Sequence, residues 1–281
     1  MNSIFQYRLS GLSSSVFVGK HASRWQSHGQ LFKQHAPFTA NDDARRIDIR
    51  ASVLDPFERY QVRHYQQHSL LTVYLIADLS ASLSFAGQQA KRDSLQQLLQ
   101  CIADSALAVG DYFAFIGCGQ RIESSWLLPA NRHSGYIEQF AKTLKNLTYS
   151  ANCQSLADVA PYLPQQRALI FLLSDFHFPL ANLPQLLHAI KHHDVVPLVL
   201  WDKQEYEQLP AWGLVSYRDM ENGNTRTLWM RPALKHSIRA AYQTRQQQLQ
   251  HSLRALGHEP LFLTTQPVAE QLNHYFRQRS R

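Results

Sequence analysis

Cysteine is scarce in this chain. The three present, Cys101, Cys118 and Cys153, form neither a CxxC pair nor an even-numbered framework. That argues against a disulfide scaffold and for reduced thiols in a cytoplasm. Long hydrophobic runs are also missing: the apolar stretch 70–77 ends at Asp78, well short of the ~20 residues that span a bilayer. The opening residues, MNSIFQYRLSGLSSSVFVGK, hold no continuous apolar segment of signal-peptide kind, so export is not expected. Nucleotide fingerprints are absent as well. There is no GxGxxG after a strand and no GxxxxGKS/T, and Gly117-Cys118-Gly119 reads as a turn. The GxSxG elbow of α/β-hydrolases does not occur either. No internal repeat and no low-complexity linker is visible, which excludes a solenoid.

What is present fits a globular protein with an ample core: 44% of the 281 residues are hydrophobic and 17% charged. Lys and Arg outnumber Asp and Glu by 28 to 21, a formal charge of +7. The basic residues are spread along the chain, usually beside acids, as in residues 42–48. Only Arg277, Arg279 and Arg281 form a basic run. A solvated surface with a positive bias accounts for this better than a phosphate-binding stripe.

Residues 1–69 are polar, rich in His, Gln and Ser, and lack helical periodicity, so they read as an extended or loop-rich lead segment. From residue 70 strands and helices alternate. LLTVYLIAD is a continuous apolar run, as in a strand buried on both faces. Residues 88–108 carry Leu95, Leu98, Leu99, Ile102, Ala106 and Leu107 at helical spacing, with Gly110 as the stop. YFAFIGC (112–118) and RIESSWLL (121–128) predict two strands joined through Gly119 and Gln120. Helices are expected over 134–147, 155–163, 183–193 and 267–277, and a longer one from Pro232 to Gly257. Strands are expected over 168–175, 195–202 and 260–265, with a hairpin in 213–230 around Asn222-Gly223. The pattern predicts an α/β fold, a doubly wound and mostly parallel sheet over 70–281, with a β-hairpin insertion and an N-terminal extension over 1–69.

The strongest chemical signal is Asp78-Leu79-Ser80-Ala81-Ser82, where the buried strand runs out. In an open α/β sheet, ligands bind at the carboxyl ends of the strands. Alternate residues of a tight loop there can aim the Asp78 carboxylate and the Ser80 and Ser82 hydroxyls into one small volume. These are hard oxygen ligands suited to Mg²⁺ or Mn²⁺ rather than zinc. Three protein oxygens leave positions open for water or for a partner's carboxylate. The plainer alternative is that Asp78 caps the following helix and the serines fill a loop. Asp175 shifts the balance, because it ends the other very apolar strand and reaches the same edge of the sheet. Other clusters are weaker. His64/His68 and His188/His192 are spaced i,i+4, which puts each pair on one helix face, but no third zinc ligand lies nearby. Ser174, Asp175 and His177 are triad residue types without triad spacing.

DLSAS after a core strand, with Ser174-Asp175 after a later one, resembles the metal-ion-dependent adhesion site of von Willebrand factor A domains. The motifs GQLFKQHAPF (29–38), NDDARRIDIRAS (41–52), Lys91, GDYFAFIG (110–117), LLSDF (172–176) and WDKQEYEQLP (201–210), in this order, resemble the bacterial family called domain of unknown function 58. The stretch RRIDIRASVLDPFE is most similar to members associated with methanol-oxidation gene clusters. The resemblance implies a von Willebrand A-like, non-enzymatic protein-binding module. It would work with a MoxR-type AAA+ ATPase in maturation or metal loading of a client complex. It also implies metal ligands at Asp78, Ser80, Ser82 and Asp175. Where the family commonly has Gly-Thr-Asp-Leu, with the threonine a further ligand, this chain has the stretch Asn152-Cys153-Gln154-Ser155-Leu156. Gln154 stands at the threonine position, and its carbonyl or the Ser155 hydroxyl could serve instead.

Three rival readings follow from the same residues. The site could be metal-free and the domain a structural interaction module, which metal content would reveal. A bound ion could polarise a phosphoryl oxygen in a metal-assisted hydrolase, although no base converges with the acids in sequence. A nucleic-acid binder is the reading from charge alone, and its binding would fall steeply with salt. The alternation of sign at Asp42, Asp43, Arg45, Arg46, Asp48 and Arg50 argues for internal pairing, and for an extension that packs on the main domain. Limited proteolysis should therefore leave residues 45–50 intact while termini are trimmed; rapid cleavage there would contradict the expectation.

Overall fold

The computed structural model describes residues 4–9, 18–22, 31–40, 42–66, 68–84, 91–147, 153–201, 209–218, 225–264 and 266–279. The chain divides into two compact units, Leu9–Leu71 and Met1–Arg8 with Thr72–Arg281.

Within the Leu9–Leu71 unit lie β1 (Val18–Ala22), β2 (Leu31–Pro37), α1 (Ile49–Val53), β3 (Gln61–Gln66) and β4 (His68–Ser69). Strand β2 pairs antiparallel with β3, and β1 with β4. Isolated ribbons need no doubly buried apolar run, so their sequence looks like loop. His64 and His68 fall on β3 and β4, not on one face of a helix. The alternating charges are organised by Asp48, the N-cap of α1. Its Oδ1 accepts the N–H groups of Arg50 (3.1 Å) and Ala51 (3.3 Å). Its Oδ2 takes Arg63 Nε at 2.8 Å and His35 Nε2 at 3.1 Å, partners from outside the alternating run. The Arg63 and His35 hydrogen bonds hold the Asp48 carboxyl well below the usual carboxylate range.

In the second unit follow β5 (Thr72–Asp78), α2 (Lys91–Val109), β6 (Tyr112–Cys118), β7 (Ile122–Asn131), α3 (Ser134–Thr143), β8 (Leu169–Ser174), α4 (Leu183–Ala189) and β9 (Asp194–Val199). Then come β10 (Gly213–Arg218), β11 (Thr225–Met230), α5 (Pro232–Ala255), β12 (Leu261–Phe262) and α6 (Val268–Arg279). Six strands form one sheet in the order β12-β9-β8-β5-β6-β7, parallel throughout except for β6 against β7. This is the α/β, mostly parallel, doubly wound arrangement expected from the sequence. From β5 the chain moves outward to β6 and β7, then returns to β8 on the opposite edge of β5. That reversal opens a crevice at the carboxyl ends of β5 and β8.

Successive side chains alternate between the two sheet faces, and both faces are covered. Tyr74, Ile76, Ile116, Ile170 and Leu172 cluster with Leu183 and Leu187 of α4 and with Leu249 and Leu253 of α5. From the alternate positions, Phe115 meets Phe140 of α3 at 5.3 Å between ring centroids, and Phe171 meets Phe276 of α6 edge-on at 6.1 Å. Helix α2 stops at Gly110, whose φ of +87° suits a residue without Cβ.

At further points the structure departs from the sequence expectation or adds to it. Residues 4–8 count with the α/β unit: the Phe5 N–H donates to Ser105 Oγ at 3.0 Å, and Tyr7 OH to buried Asp111 at 2.6 Å. Over 155–163 there are two 3-10 turns, Ser155–Asp158 and Ala160–Tyr162, rather than one helix. Pro161 removes an N–H that an α-helix would need there. His192 lies beyond the end of α4, so it shares no helix with His188. Strands β10 and β11 pair antiparallel, Leu214 opposite Trp229, but the expected turn residues 221–224 lie outside the described residues. Among the described residues no helix is long and apolar enough to cross a membrane.

Gly117 on β6 couples this frame to the crevice. A Cβ added there would come within 2.5 Å of Leu79 Cδ1 and 2.8 Å of Trp126 Cβ. Gly117→Ala should therefore destabilise the protein by about 1–3 kcal/mol through overpacking, read by urea denaturation.

Candidate metal-ion site

Strand β5 delivers Asp78 at its last position, and β8 delivers Ser174 with Asp175 immediately after. All three are buried, as is Ser80. Asp78 Oδ1 accepts the Ser80 N–H at 2.9 Å, and Oδ2 accepts the Ser174 hydroxyl at 2.8 Å. The Ser80 and Ser82 hydroxyls lie 2.9 Å apart. Burial pushes the Asp78 carboxyl up, and the neighbouring Asp175 carboxylate pushes it further. Asp78, Ser80, Ser82 and Asp175 thus gather at the carboxyl ends of two adjacent strands.

Asp175 is set by its own loop. Phe176 takes φ +52°, a left-handed conformation that costs a non-glycine residue on the order of 1 kcal/mol or more. Four hydrogen bonds hold it there. The Phe176 N–H donates to Ser174 Oγ at 2.9 Å, and Trp201 Nε1 donates to the Asp175 carbonyl at 2.7 Å. From α5, Arg245 Nη2 donates to the carbonyls of Phe176 (3.0 Å) and Phe178 (2.6 Å). Asp175 Oδ1 accepts the His177 N–H at 3.2 Å, yet Asp175 Oδ2 is buried with no hydrogen-bond partner. Ser174, Asp175 and His177 form no relay, since the Ser174 hydroxyl bonds Asp78 while the His177 ring stacks on Trp201 at 5.6 Å.

The 153–155 loop is arranged differently from the family-derived expectation. Gln154 is exposed, and its backbone N–H bonds the Gly119 carbonyl at 3.2 Å. The buried Ser155 hydroxyl is committed to the same carbonyl at 2.9 Å. Cys153 is the residue that turns inward. Its thiol donates to the Cys118 carbonyl at 3.1 Å. Burial, then the charge on Asp78, pushes this thiol far up, so it stays protonated. Lys91 is also buried, at the first position of α2, with Nζ 3.4 Å from the Ser82 carbonyl. Cys153 was legible only as a free thiol and Lys91 only as part of a motif. Their positions depend on loop approach rather than spacing.

The donor set fits a hard divalent cation. Two carboxylates and two hydroxyls offer only oxygen, and the orphaned Asp175 Oδ2 is a buried acceptor that a cation would satisfy. Among the described residues no three His, Cys, Asp or Glu side chains gather as metal ligands. Carboxylates and hydroxyls together would therefore have to supply the site.

The chain belongs to the family described as Protein of unknown function DUF58, whose model matches residues 35–252. It is 22% identical over 266 residues to uncharacterized proteins of Mycobacterium bovis and Mycobacterium tuberculosis, covering 89% of this chain and 79% of theirs. Among solved structures it is similar to an aerotolerance-related membrane protein from Bacteroides fragilis. That match has a TM-score of 0.47 and 10% identity, covering 74% of this chain and 98% of the other. It is also similar to the SpRpn10 VWA domain, with a TM-score of 0.38 and 10% identity over 73% and 95% of the two chains. A third is proximal thread matrix protein 1 of the mussel byssus with zinc in its MIDAS motif. There the TM-score is 0.35 and the identity 14%, over 51% and 42%. These structural likenesses are loose.

A carboxyl held above its unfolded-state pKa destabilises the fold once pH rises past that unfolded value, and the penalty vanishes below it. For Asp78 the unfolded value is near ~4. In EDTA, Asp78→Asn should melt higher than the wild type at about pH 7, and the gap should close as pH falls towards ~4. A constant gap across that range would show that the charge on Asp78 is not the source.

Proposed function

We propose that this protein is a non-enzymatic interaction module whose binding depends on a divalent cation, Mg²⁺ or Mn²⁺, held by Asp78, Ser80, Ser82 and Asp175. The observation that carries the reading is the buried Asp175 Oδ2 without a partner, beside an Asp78 carboxyl pushed up by burial and by Asp175. Two carboxylates in a crevice without water access are costly unless paired, and a cation pairs both. When bound, the cation supplies a Lewis-acidic position open to one carboxylate of a partner protein. The chain's own residues fix the ligands. Ser174 and the Ser80 N–H orient Asp78, and Arg245 and Trp201 hold the loop that presents Asp175. The protonated Cys153 thiol remains a hydrogen-bond donor. The proposed partner is a MoxR-type AAA+ ATPase acting on a client complex, by resemblance to the family.

Two measurements test this. A ligand that binds only the native state raises stability by RT ln(1+[L]/Kd), about 1.4 kcal/mol at ten times Kd. Millimolar Mg²⁺ should give that gain in the wild type and none in Asp78→Ala; equal melting responses would reject the site. Pull-down of a MoxR-type ATPase should succeed with Mg²⁺ and fail in EDTA, and no binding in either condition would reject the partner.

A further inference from the structure

Among the described residues, exposed apolar side chains concentrate in the Leu9–Leu71 unit. Ile49 and Val53, one turn apart on α1, are 75% and 79% exposed. Leu54, the C-cap, is 81% exposed, Phe57 73% and Tyr60 66%. Five large apolar residues at this exposure within twelve positions mark an interaction surface rather than scattered surface hydrophobes.

The charges in the same stretch indicate what it fits. Its aspartates are turned to local donors: Asp43 to the Arg45 N–H at 3.0 Å, Asp55 to the Arg59 N–H at 2.9 Å, and Asp48 to α1, Arg63 and His35. Arg45, Arg50 and Arg59 are exposed, and among the described residues none of their guanidinium groups meets a carboxylate. The Arg59 guanidinium instead lies over the Phe57 ring at 5.2 Å. A second copy would offer aspartates that are already turned to local donors, Asp43, Asp48 and Asp55. A uniformly anionic bilayer would meet Asp43, Asp55 and Glu58 along with the arginines. A discrete segment can set each carboxylate against one guanidinium and leave the acids in water.

We propose that residues 45–60 form a docking surface for an acidic amphipathic segment of a partner protein. Its apolar side chains would seat on Ile49, Val53, Leu54, Phe57 and Tyr60 while its carboxylates pair with Arg45, Arg50 and Arg59. This contact is independent of the cation site.

The test uses the full chain in EDTA and two fluorescein-labelled amphipathic peptides of about 18 residues. Both carry Leu and Phe on one face; one has Glu on its flanks and the other Lys. Fluorescence anisotropy should show the Glu peptide binding at least about tenfold tighter than the Lys peptide. Leu54→Ser with Phe57→Ser, and separately Arg45→Glu with Arg50→Glu, should each weaken the Glu peptide by about the same factor. The altered side chains are exposed, so melting temperatures should stay at the wild-type value. Equal binding of both peptides, or none, overturns the proposal. So does a concentration-dependent dimer that Leu54→Ser abolishes, which makes a second copy the occupant. Co-sedimentation with phosphatidylcholine–phosphatidylserine vesicles that Phe57→Ser abolishes also overturns it, in favour of a membrane.

Discussion

Two buried carboxylates facing each other at the ends of adjacent parallel strands set the terms for the α/β unit. Like charges removed from water repel strongly, and among the described residues no basic side chain bonds Asp78 or Asp175. The surrounding chain answers with neutral donors: the Ser174 hydroxyl and the N–H groups of Ser80 and His177. One acceptor, Asp175 Oδ2, stays unanswered. A fold selected for stability alone would place apolar residues there, as it does along the rest of β5 and β8. The proposed cation site accounts for the retention of both acids, one of them presented beside a left-handed Phe176.

The sheet does the positioning. Every strand of the crevice is buried on both faces, so Asp78 and Asp175 cannot swing away without moving the apolar residues behind them. Helix α5 contributes through Arg245, whose bonds to the Phe176 and Phe178 carbonyls fix the loop that carries Asp175. Gly117 leaves the space into which Leu79 packs, tying the Asp78 loop to β6.

The strands of this sheet were legible because double-sided burial writes a continuous apolar run, as in LLTVYLIAD and ALIFLL. Helix α2 was legible from its periodicity and from Gly110. Strands β1 to β4 carry no such run and look like loop. At 155–163 the apolar spacing suggested a helix that Pro161 divides into two 3-10 turns. For the candidate site, Asp78, Ser80, Ser82 and Asp175 could be nominated because strand ends are visible in sequence. The inward turn of Cys153, the exposure of Gln154 and the burial of Lys91 could not. Each follows from how a loop or helix start comes to rest against Gly119 or Ser82, which spacing along the chain does not encode.

The central claim is that Asp78, Ser80, Ser82 and Asp175 hold one divalent cation. Crystals grown with Mn²⁺ and measured at the manganese absorption edge test it most directly. The account predicts a single strong anomalous peak enclosed by these four side chains, and none there in crystals of Asp78→Ala. Ordered crystals at saturating Mn²⁺ with no peak in the crevice, or with manganese bound only elsewhere, would contradict it.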